Sequence, residues 1–200
     1  MSEHSLESVD PDPLRQFEAW FREAGEAGIA FPEAAAVATA SAAAVPSVRM
    51  VLVKGADERG LDFYTNYRSR KGRELEENPR AALLFHWAPL GRQVRVEGPV
   101  ARVPAEESDA YFSSRPRGSR LAAIASRQSE PLESRAEIEA VVADLERSLD
   151  GRDPERPEQW GGFRLVPERW EFWQHGEDRL HDRVLYERDG DSWGRSLLFP

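Results

Sequence analysis

The chain has 200 residues with 36 acidic and 27 basic side chains, a formal net charge of −9, and that length suits one domain or at most two small ones. It contains no cysteine, which excludes disulfides, thiolate zinc sites, iron–sulfur clusters and thiol catalysis. Six Trp, nine Phe and four Tyr argue against disorder, and the acidity argues against generic binding to nucleic acid or to an anionic membrane.

Met1 to Asp10 is acidic and lacks an apolar run, so nothing in it reads as an export signal. Residues 1–11 are expected to form a mobile tail ahead of a single domain over 12–200. Asp12-Pro13 is a helix start, with Asp as N-cap and Pro in the first turn. Leu14, Phe17, Phe21 and Ala24 then recur at helical spacing until Gly25 and Gly28 end the element. The uncharged stretch from Ala34 to Val48 is too short and too interrupted to cross a bilayer, which takes about 20 apolar residues. A cytoplasmic location is the default expectation, and a strand is expected over Ala35–Ala42.

Val48–Lys54 and Leu61–Thr65 flank the turn signal Asp57-Glu-Arg-Gly60 and read as a hairpin. Ser69 caps a short helix that runs to about Asn78, with Pro79 after its end. Ala81–Trp87 is an apolar strand. Arg92–Val103 alternates, interrupted at Gly98-Pro99 as a bulge would be. Helix signals return over Pro104–Ser114, and Ser134-Arg-Ala-Glu137 is a capping box. It opens a helix whose apolar stripe is Ile138, Val141, Val142, Leu145 and Leu149. Strands are expected at Phe163–Leu165, Trp170–Gln174 and Arg183–Glu187, with a hairpin turn at Asp189-Gly190. Many antiparallel strands with four or five interspersed helices describe an α+β, mainly β, single domain built on a barrel or sandwich. No GxGxxG or Walker A pattern is present, which argues against a Rossmann or P-loop fold.

Of the 27 basic residues 25 are Arg, and Lys54 and Lys71 are the two lysines. An ammonium is a compact point charge and a guanidinium a planar fork, so the two are not interchangeable at a tight site. Both lysines fall in one basic constellation, Arg49-Met-Val-Leu-Val-Lys54 followed by Phe63-Tyr-Thr-Asn-Tyr-Arg-Ser-Arg-Lys71. Cations in the first turn of a helix oppose its dipole. They make sense if a phosphate sits there on the backbone amides. The alternative is a solvated basic turn paired with Glu74, Glu76 and Glu77.

A second constellation is Tyr111-Phe-Ser-Ser-Arg-Pro-Arg-Gly-Ser119 with Ser126-Arg-Gln-Ser129, where a helix ends at Arg115-Pro116 and a loop rich in Arg and hydroxyls follows. Such donors suit a second phosphate or carboxylate; an ordinary helix end is the alternative. The third constellation runs from Trp170 to Arg183 and displays Trp173, Arg179, His181 and Arg183 around a Gly176 turn. His175, Glu177, Asp178, His181 and Asp182 lack the paired-histidine spacing of a zinc site, and the neighbouring Arg residues repel a cation, so no metal is expected.

Taken together, Arg49–Lys54, Tyr64-Thr65, Ser69-Arg-Lys71, Arg92-Gln93-Val94, Tyr111-Phe-Ser-Ser-Arg115-Pro-Arg-Gly-Ser119, Ser126-Arg-Gln-Ser129, Trp160-Gly-Gly-Phe-Arg164, Glu171-Phe-Trp-Gln174 and Arg179-Leu-His-Asp-Arg183 resemble the pyridoxine/pyridoxamine 5′-phosphate oxidase family, over about Asp12 to Trp193. The resemblance implies a split β-barrel with peripheral helices, and a homodimer with FMN at the subunit interface. FMN would be held by Arg49, Met50, Val51, Leu52, Val53, Lys54, Tyr64, Thr65, Arg70, Lys71, Gln93, Gln128, Ser129, Trp173 and Arg183. The phosphorylated pyridine would be held by Lys54, Tyr111, Arg115, Ser119, Arg179, Leu180 and His181, with Arg179 and His181 in the catalytic role and O2 as oxidant. Two departures from the family pattern stand out. Met1 to Val9 has no Arg-x-x-Tyr element, and Leu197-Leu-Phe-Pro200 replaces the usual Arg-Leu-x-Pro. A sister flavin oxidase of another ring, such as a dihydrophenazine carboxylate, and a non-catalytic binder of FMN or pyridoxal phosphate are the alternative functions.

Overall fold

The computed structural model describes residues 8–200. Helix α1 (Pro13–Glu26) is capped by Asp12, whose side chain accepts the Leu14 N–H, and it buries Phe17, Trp20 and Ala24. Phe17 lies 4.9 Å from the Phe85 ring and 5.5 Å from Trp170, and Trp20 meets Phe172 edge-on at 5.2 Å. Each such ring removed from water is worth roughly 1.5–3 kcal/mol, so Phe17, seen in the periodicity, and Trp20, outside the periodic set, are what dock this helix on the sheet.

Strands β1 (Ala34–Ala40), β2 (Pro46–Asp57), β3 (Gly60–Asn66), β4 (Arg80–Trp87), β5 (Arg92–Arg102) and β6 (Trp160–Leu165) form a closed antiparallel ring in the order β4-β1-β2-β3-β6-β5, sealed by the β4–β5 pairing. Strands β7 (Arg169–Gln174), β8 (Asp182–Asp189) and β9 (Ser192–Leu197) extend the sheet from β5. Helices α2 (Arg70–Glu77), α3 (Ala105–Ser114), α4 (Arg117–Ala125) and α5 (Arg135–Leu149) surround the ring. The architecture is the split β-barrel with peripheral helices. Inward side chains such as Val37, Leu61, Phe63, Leu83, Phe85, Val94, Val96 and Leu165 make its core.

Four details differ from the sequence-based expectation. Gly98-Pro99 is not a bulge: β5 keeps unbroken register with β4 from Arg92 to Pro99. On its other edge it exchanges partners there, from β7 over Arg92–Glu97 to β6 over Val100–Arg102. A Cβ on Gly98 would lie 1.9 Å from the Val166 carbonyl oxygen, so the crossing needs the bare backbone. The bulge falls instead in β2, where the β2–β3 register shifts between Val53 and Gly55 and Lys54 is the extra residue. The segment after Arg115-Pro116 is a helix, α4, rather than a loop. A proline just ahead of a helix is compatible with its start, and the reading stopped at it. Finally, the tail does not run to residue 11. Val9 is buried, the Tyr186 hydroxyl donates to the Asp10 carbonyl at 2.7 Å, and the Arg195 side chain donates to the Val9 carbonyl at 3.2 Å. The expected tail residues 1–7 lie outside the described part.

Candidate functional site

Residues of the first constellation meet where β3 ends and α2 begins. Ser69 caps α2 by accepting the Gly72 N–H, and the first turn carries no acidic residue. Lys71 is buried, 7% exposed. Its Nζ donates to Thr65 Oγ1 and to Gln128 Oε1, each at 2.9 Å, and lies 3.4 Å from Ser69 Oγ. All three acceptors are neutral. Burial, followed by the nearby Arg49 charge, pushes the Lys71 ammonium down to about 8. The Arg70 backbone N–H donates to Ser129 Oγ at 3.1 Å, which ties the Gln128-Ser129 segment to the start of the helix. Ser129 itself has a left-handed backbone, φ 75°.

The arginines beside Lys71 are held differently. Arg70 Nε donates to Glu74 Oε1 at 2.8 Å, and Arg49 Nη2 lies 3.4 Å from Glu74 Oε2. Arg49 also donates to Thr39 Oγ1 at 2.6 Å. Burial pushes the Glu74 carboxyl up, but hydrogen bonds from Ser47, Thr39 and Arg70 and the Arg49 charge outweigh it and hold the group at about 2. The solvated-turn alternative is therefore half met. Glu74 pairs with two arginines, Glu76 pairs with Arg102 and Glu77 accepts the Ala42 N–H. None of them reaches Lys71. Sequence reasoning had Glu74 only as one of three interchangeable acids; its i, i+4 spacing from Arg70 was the available signal.

The second constellation lines the rim of the same region. Tyr64 stacks on Tyr111 at 3.9 Å and on Trp160 at 5.7 Å. The Arg115 guanidinium lies 4.7 Å over the Trp160 ring. Burial, then Asp62 and Glu107, push the Tyr64 hydroxyl up to about 12. Arg115 and Ser119 line a cavity of about 400 Å³ together with Asn66, Ser126, Gln128 and Trp160. Arg115 Nη1 is buried there without a hydrogen-bond partner among the described residues, and burial lowers the guanidinium pKa. Gln128 belongs to both this cavity and the Lys71 cluster. Trp160, which the sequence offers as part of a motif and not as a site residue, thus lines the cavity under Arg115.

The third constellation forms on β5, β7 and β8. Gln93 faces Trp173, and Trp173 faces Arg183, in one cross-strand row. Arg183 donates through Nε and Nη2 to Glu171 Oε1, both at 2.8 Å, and through Nη1 to the Phe199 carbonyl at 2.9 Å. Trp173 lies 4.6 Å from the His181 ring. His181 Nδ1 accepts the Gly176 N–H at 3.2 Å, which leaves Nε2 as its donor. Asp178 and Arg179 both adopt left-handed backbone, φ 53° and 65°, an arrangement that costs a non-glycine residue roughly 1–2 kcal/mol. Arg179 and Leu180 are exposed.

One chain does not gather everything. Lys54 is paired with Glu33 and lines a separate cavity with Phe17, Phe21 and Val53. Val51 and Val53 face the core, whereas Met50 and Leu52 are 63% and 41% exposed and continue, with Val48 and Leu84, an apolar outer face across β2 and β4. No helix among the described residues is long and apolar enough to cross a membrane.

The chain is similar to known proteins along nearly its whole length. Residues 21–148 fit the family model described as pyridoxamine 5′-phosphate oxidase, and residues 160–200 fit that of the pyridoxine 5′-phosphate oxidase C-terminal dimerisation region. The chain is 59% identical over 194 residues to a pyridoxine/pyridoxamine 5′-phosphate oxidase of Rubrobacter xylanophilus, covering 97% of this chain and 89% of that protein. It is 51% identical to one of Paraburkholderia phymatum, covering 98% and 92%. Among solved structures, PhzG of Burkholderia lata, in complex with tetrahydrophenazine-1-carboxylic acid, superposes with TM-score 0.93 at 33% identity over 100% and 98% of the two chains. A pyridoxamine 5′-phosphate oxidase-related FMN-binding protein of Nostoc punctiforme shares the fold, with TM-score 0.76 at 17% identity over 96% and 100%. These relations suggest a flavin cofactor and a dimer. Matched by family models over residues 21–148 and 160–200 and by relatives along nearly its whole length, the chain belongs to the pyridoxine/pyridoxamine 5′-phosphate oxidase family.

Proposed function

We propose that this protein is a cytoplasmic, homodimeric FMN-dependent oxidase that converts pyridoxamine 5′-phosphate and pyridoxine 5′-phosphate to pyridoxal 5′-phosphate, consuming O2 and releasing H2O2, the amine substrate also taking up water and releasing ammonia. Residues 12–200 act as one FMN-binding domain. The observation that carries the reading is Lys71, a buried ammonium at a helix start whose partners are all neutral. A buried cation without a counter-ion is costly unless an anion completes it. A phosphate monoester does so at the positive end of the α2 dipole. The residues present therefore fit FMN: Lys71, Arg70, Arg49, Thr65, Gln128 and Ser129 around its phosphate, and Gln93, Trp173 and Arg183 toward its ring.

FMN, when bound, accepts a hydride equivalent from the 4′ carbon of the substrate and hands the two electrons to O2. The chain binds and orients. Arg115, with an unpartnered Nη1 beside the cavity, grips the substrate phosphate together with Ser119 and Tyr111, while Lys54 contributes its ammonium. Arg179 and His181 hold the pyridine, with His181 Nε2 available as a donor and the Arg179 fork set to steady charge as the hydride departs. Tyr64, with its hydroxyl held at about 12, stays neutral and serves as a donor. Lys54 and Arg115 lie in different cavities of one chain, so in this reading a second copy, docked on the apolar outer face of β2 and β4, completes the site.

Purified protein should be yellow, and aerobic addition of pyridoxamine 5′-phosphate should yield an aldehyde and peroxide. A colourless protein that ignores added FMN would end this reading. The superposition with PhzG supports a second one, oxidation of a phenazine-type carboxylate. Faster turnover of unphosphorylated aromatic acids than of phosphorylated pyridines would favour it. Tight flavin binding without bleaching by either substrate under anaerobic conditions would identify a storage protein.

A further inference from the structure

The two lysines are in opposite electrostatic states. Lys71 has neutral partners only, whereas Lys54 Nζ meets the Glu33 carboxylate at 3.1 Å, with side chains 28% and 24% exposed. Both members of this pair are held in place. Lys54 is the bulged residue of β2, fixed between the Val53–Phe63 and Gly55–Asp62 pairings. The Glu33 carbonyl accepts the Val53 N–H at 3.0 Å, the preceding Pro32 carbonyl accepts Trp87 Nε1 at 3.0 Å, and the Ala34 N–H closes a turn onto Phe31 at 3.0 Å. Glu33 is therefore presented to Lys54 by three backbone anchors around it. Its own backbone N–H, with Lys54, outweighs burial and lowers the carboxyl pKa, so the group is ionised at neutral pH. Phe17, Phe21 and Val53 wall the adjoining cavity with apolar surface and Glu18 adds a second carboxylate to its lining, while Glu33 is the carboxylate paired with the Lys54 ammonium.

We propose that Glu33 is a specificity-determining residue that weakens the grip of Lys54 on the substrate phosphate. This rests on the reading of Lys54 as a substrate-phosphate ligand. An ammonium already neutralised by a carboxylate gives less to an incoming phosphate than an uncompensated one does. Glu33 Oε1 and an incoming phosphate compete for the same Nζ donors, so the carboxylate weakens the contact through Lys54. The contrast suits the two tasks. The uncompensated Lys71 retains a cofactor, while the compensated Lys54 admits a substrate and lets a product with the same phosphate leave.

The test is a double-mutant cycle on the FMN-loaded protein. Dissociation constants for pyridoxal 5′-phosphate and for pyridoxal are measured by absorbance titration in the wild type, Glu33→Gln, Lys54→Met and the double variant. Glutamine keeps the shape and the hydrogen bond to Lys54 and removes the charge. Glu33→Gln should tighten the phosphorylated ligand about tenfold, because a charged competitor no longer holds the ammonium in this half-exposed setting. Pyridoxal should be unaffected, and the gain should vanish in the Lys54→Met background. Unchanged or weaker binding of pyridoxal 5′-phosphate to Glu33→Gln overturns the proposal, as does a gain that persists without Lys54. If Lys54→Met itself leaves the preference for the phosphorylated ligand intact, the assignment of Lys54 falls, and this inference with it. A Lys54 effect without a Glu33 effect sinks the inference alone.

Discussion

In the proposed reading, Lys71 and Arg179 separate cofactor from substrate at the level of single side chains. Lys71→Ala removes the charge that two neutral acceptors hold in place. A hydrogen bond to a charged group is worth about 1.5–3 kcal/mol, so FMN retention should weaken by roughly 10- to 100-fold while saturating FMN restores most of the rate. The same residue predicts a pH signature. In the FMN-free protein Lys71 titrates at about 8 against an ordinary 10.5, so within that window the unfolded chain binds more protons. Its contribution to stability therefore rises with pH from 8 to 10.5, and Lys71→Ala should remove that rise from the thermal midpoint. FMN binding favours the protonated form, so affinity should fall above pH 8, by at most about tenfold per unit. Arg179→Lys should behave in the opposite way, keeping FMN while losing about 10²–10³ in turnover, because lysine keeps the charge but not the planar fork. Normal turnover in an Arg179→Lys protein with full flavin would remove this arm from the substrate site.

At the scale of elements, β5 decides the barrel. It pairs with β4 along one edge and divides its other edge between β7 and β6 at Gly98-Pro99. The Val166 N–H donates to the Pro99 carbonyl at 2.9 Å, and the Glu168 N–H to that of Glu97 at 2.9 Å. Both crossing chains are thus stitched to the switch point, and the obstacle to a side chain at 98 is backbone. Gly98→Ala should destabilise the fold by roughly 1–3 kcal/mol, the usual cost of overpacking a rigid site, read as a lower denaturation midpoint with little change in FMN affinity per folded molecule. Gly98 and Pro99 were legible as an interruption, but not as a partner exchange. A bulge and a switch place the same residue types at a strand irregularity. Helix α5 shows a related ambiguity. Its apolar stripe is correctly periodic, yet the helix has no fully buried residue and Val141 is 41% exposed. Periodicity establishes which face is apolar and leaves open what covers it.

At the scale of the whole molecule, the proposed assembly uses the outer face of β2 and β4. Met50 and Leu84 share a cross-strand row through Ala36, and Val48 and Leu52 flank it along β2. Contiguous exposed apolar surface of this kind marks an interaction site. Met50→Glu places a charge in that face and should weaken self-association by about 100-fold or more. Sedimentation would then show monomer in place of dimer, and flavin would be lost with it. Retained dimer in this variant would move the interface elsewhere on the surface.

The sequence alone determined the helix caps, most strand positions, the three basic constellations and the family, because each rests on local chemistry. Asp12 and Ser69 as caps depend on a side chain reaching an amide two or three residues away. The motifs lie in short, contiguous runs. What tertiary structure decided is which charges are compensated. Glu74 takes Arg49 and Arg70 but not Lys71, Glu33 takes Lys54 across the β1–β2 pairing, and Glu171 takes both Arg95 and Arg183. Glu33 and Lys54 are 21 residues apart, and Arg95 and Glu171 are 76 apart. Charge carries no periodicity that would reveal such partners in advance. Only the register of the folded sheet brings each carboxylate to its cations and leaves Lys71 without a carboxylate.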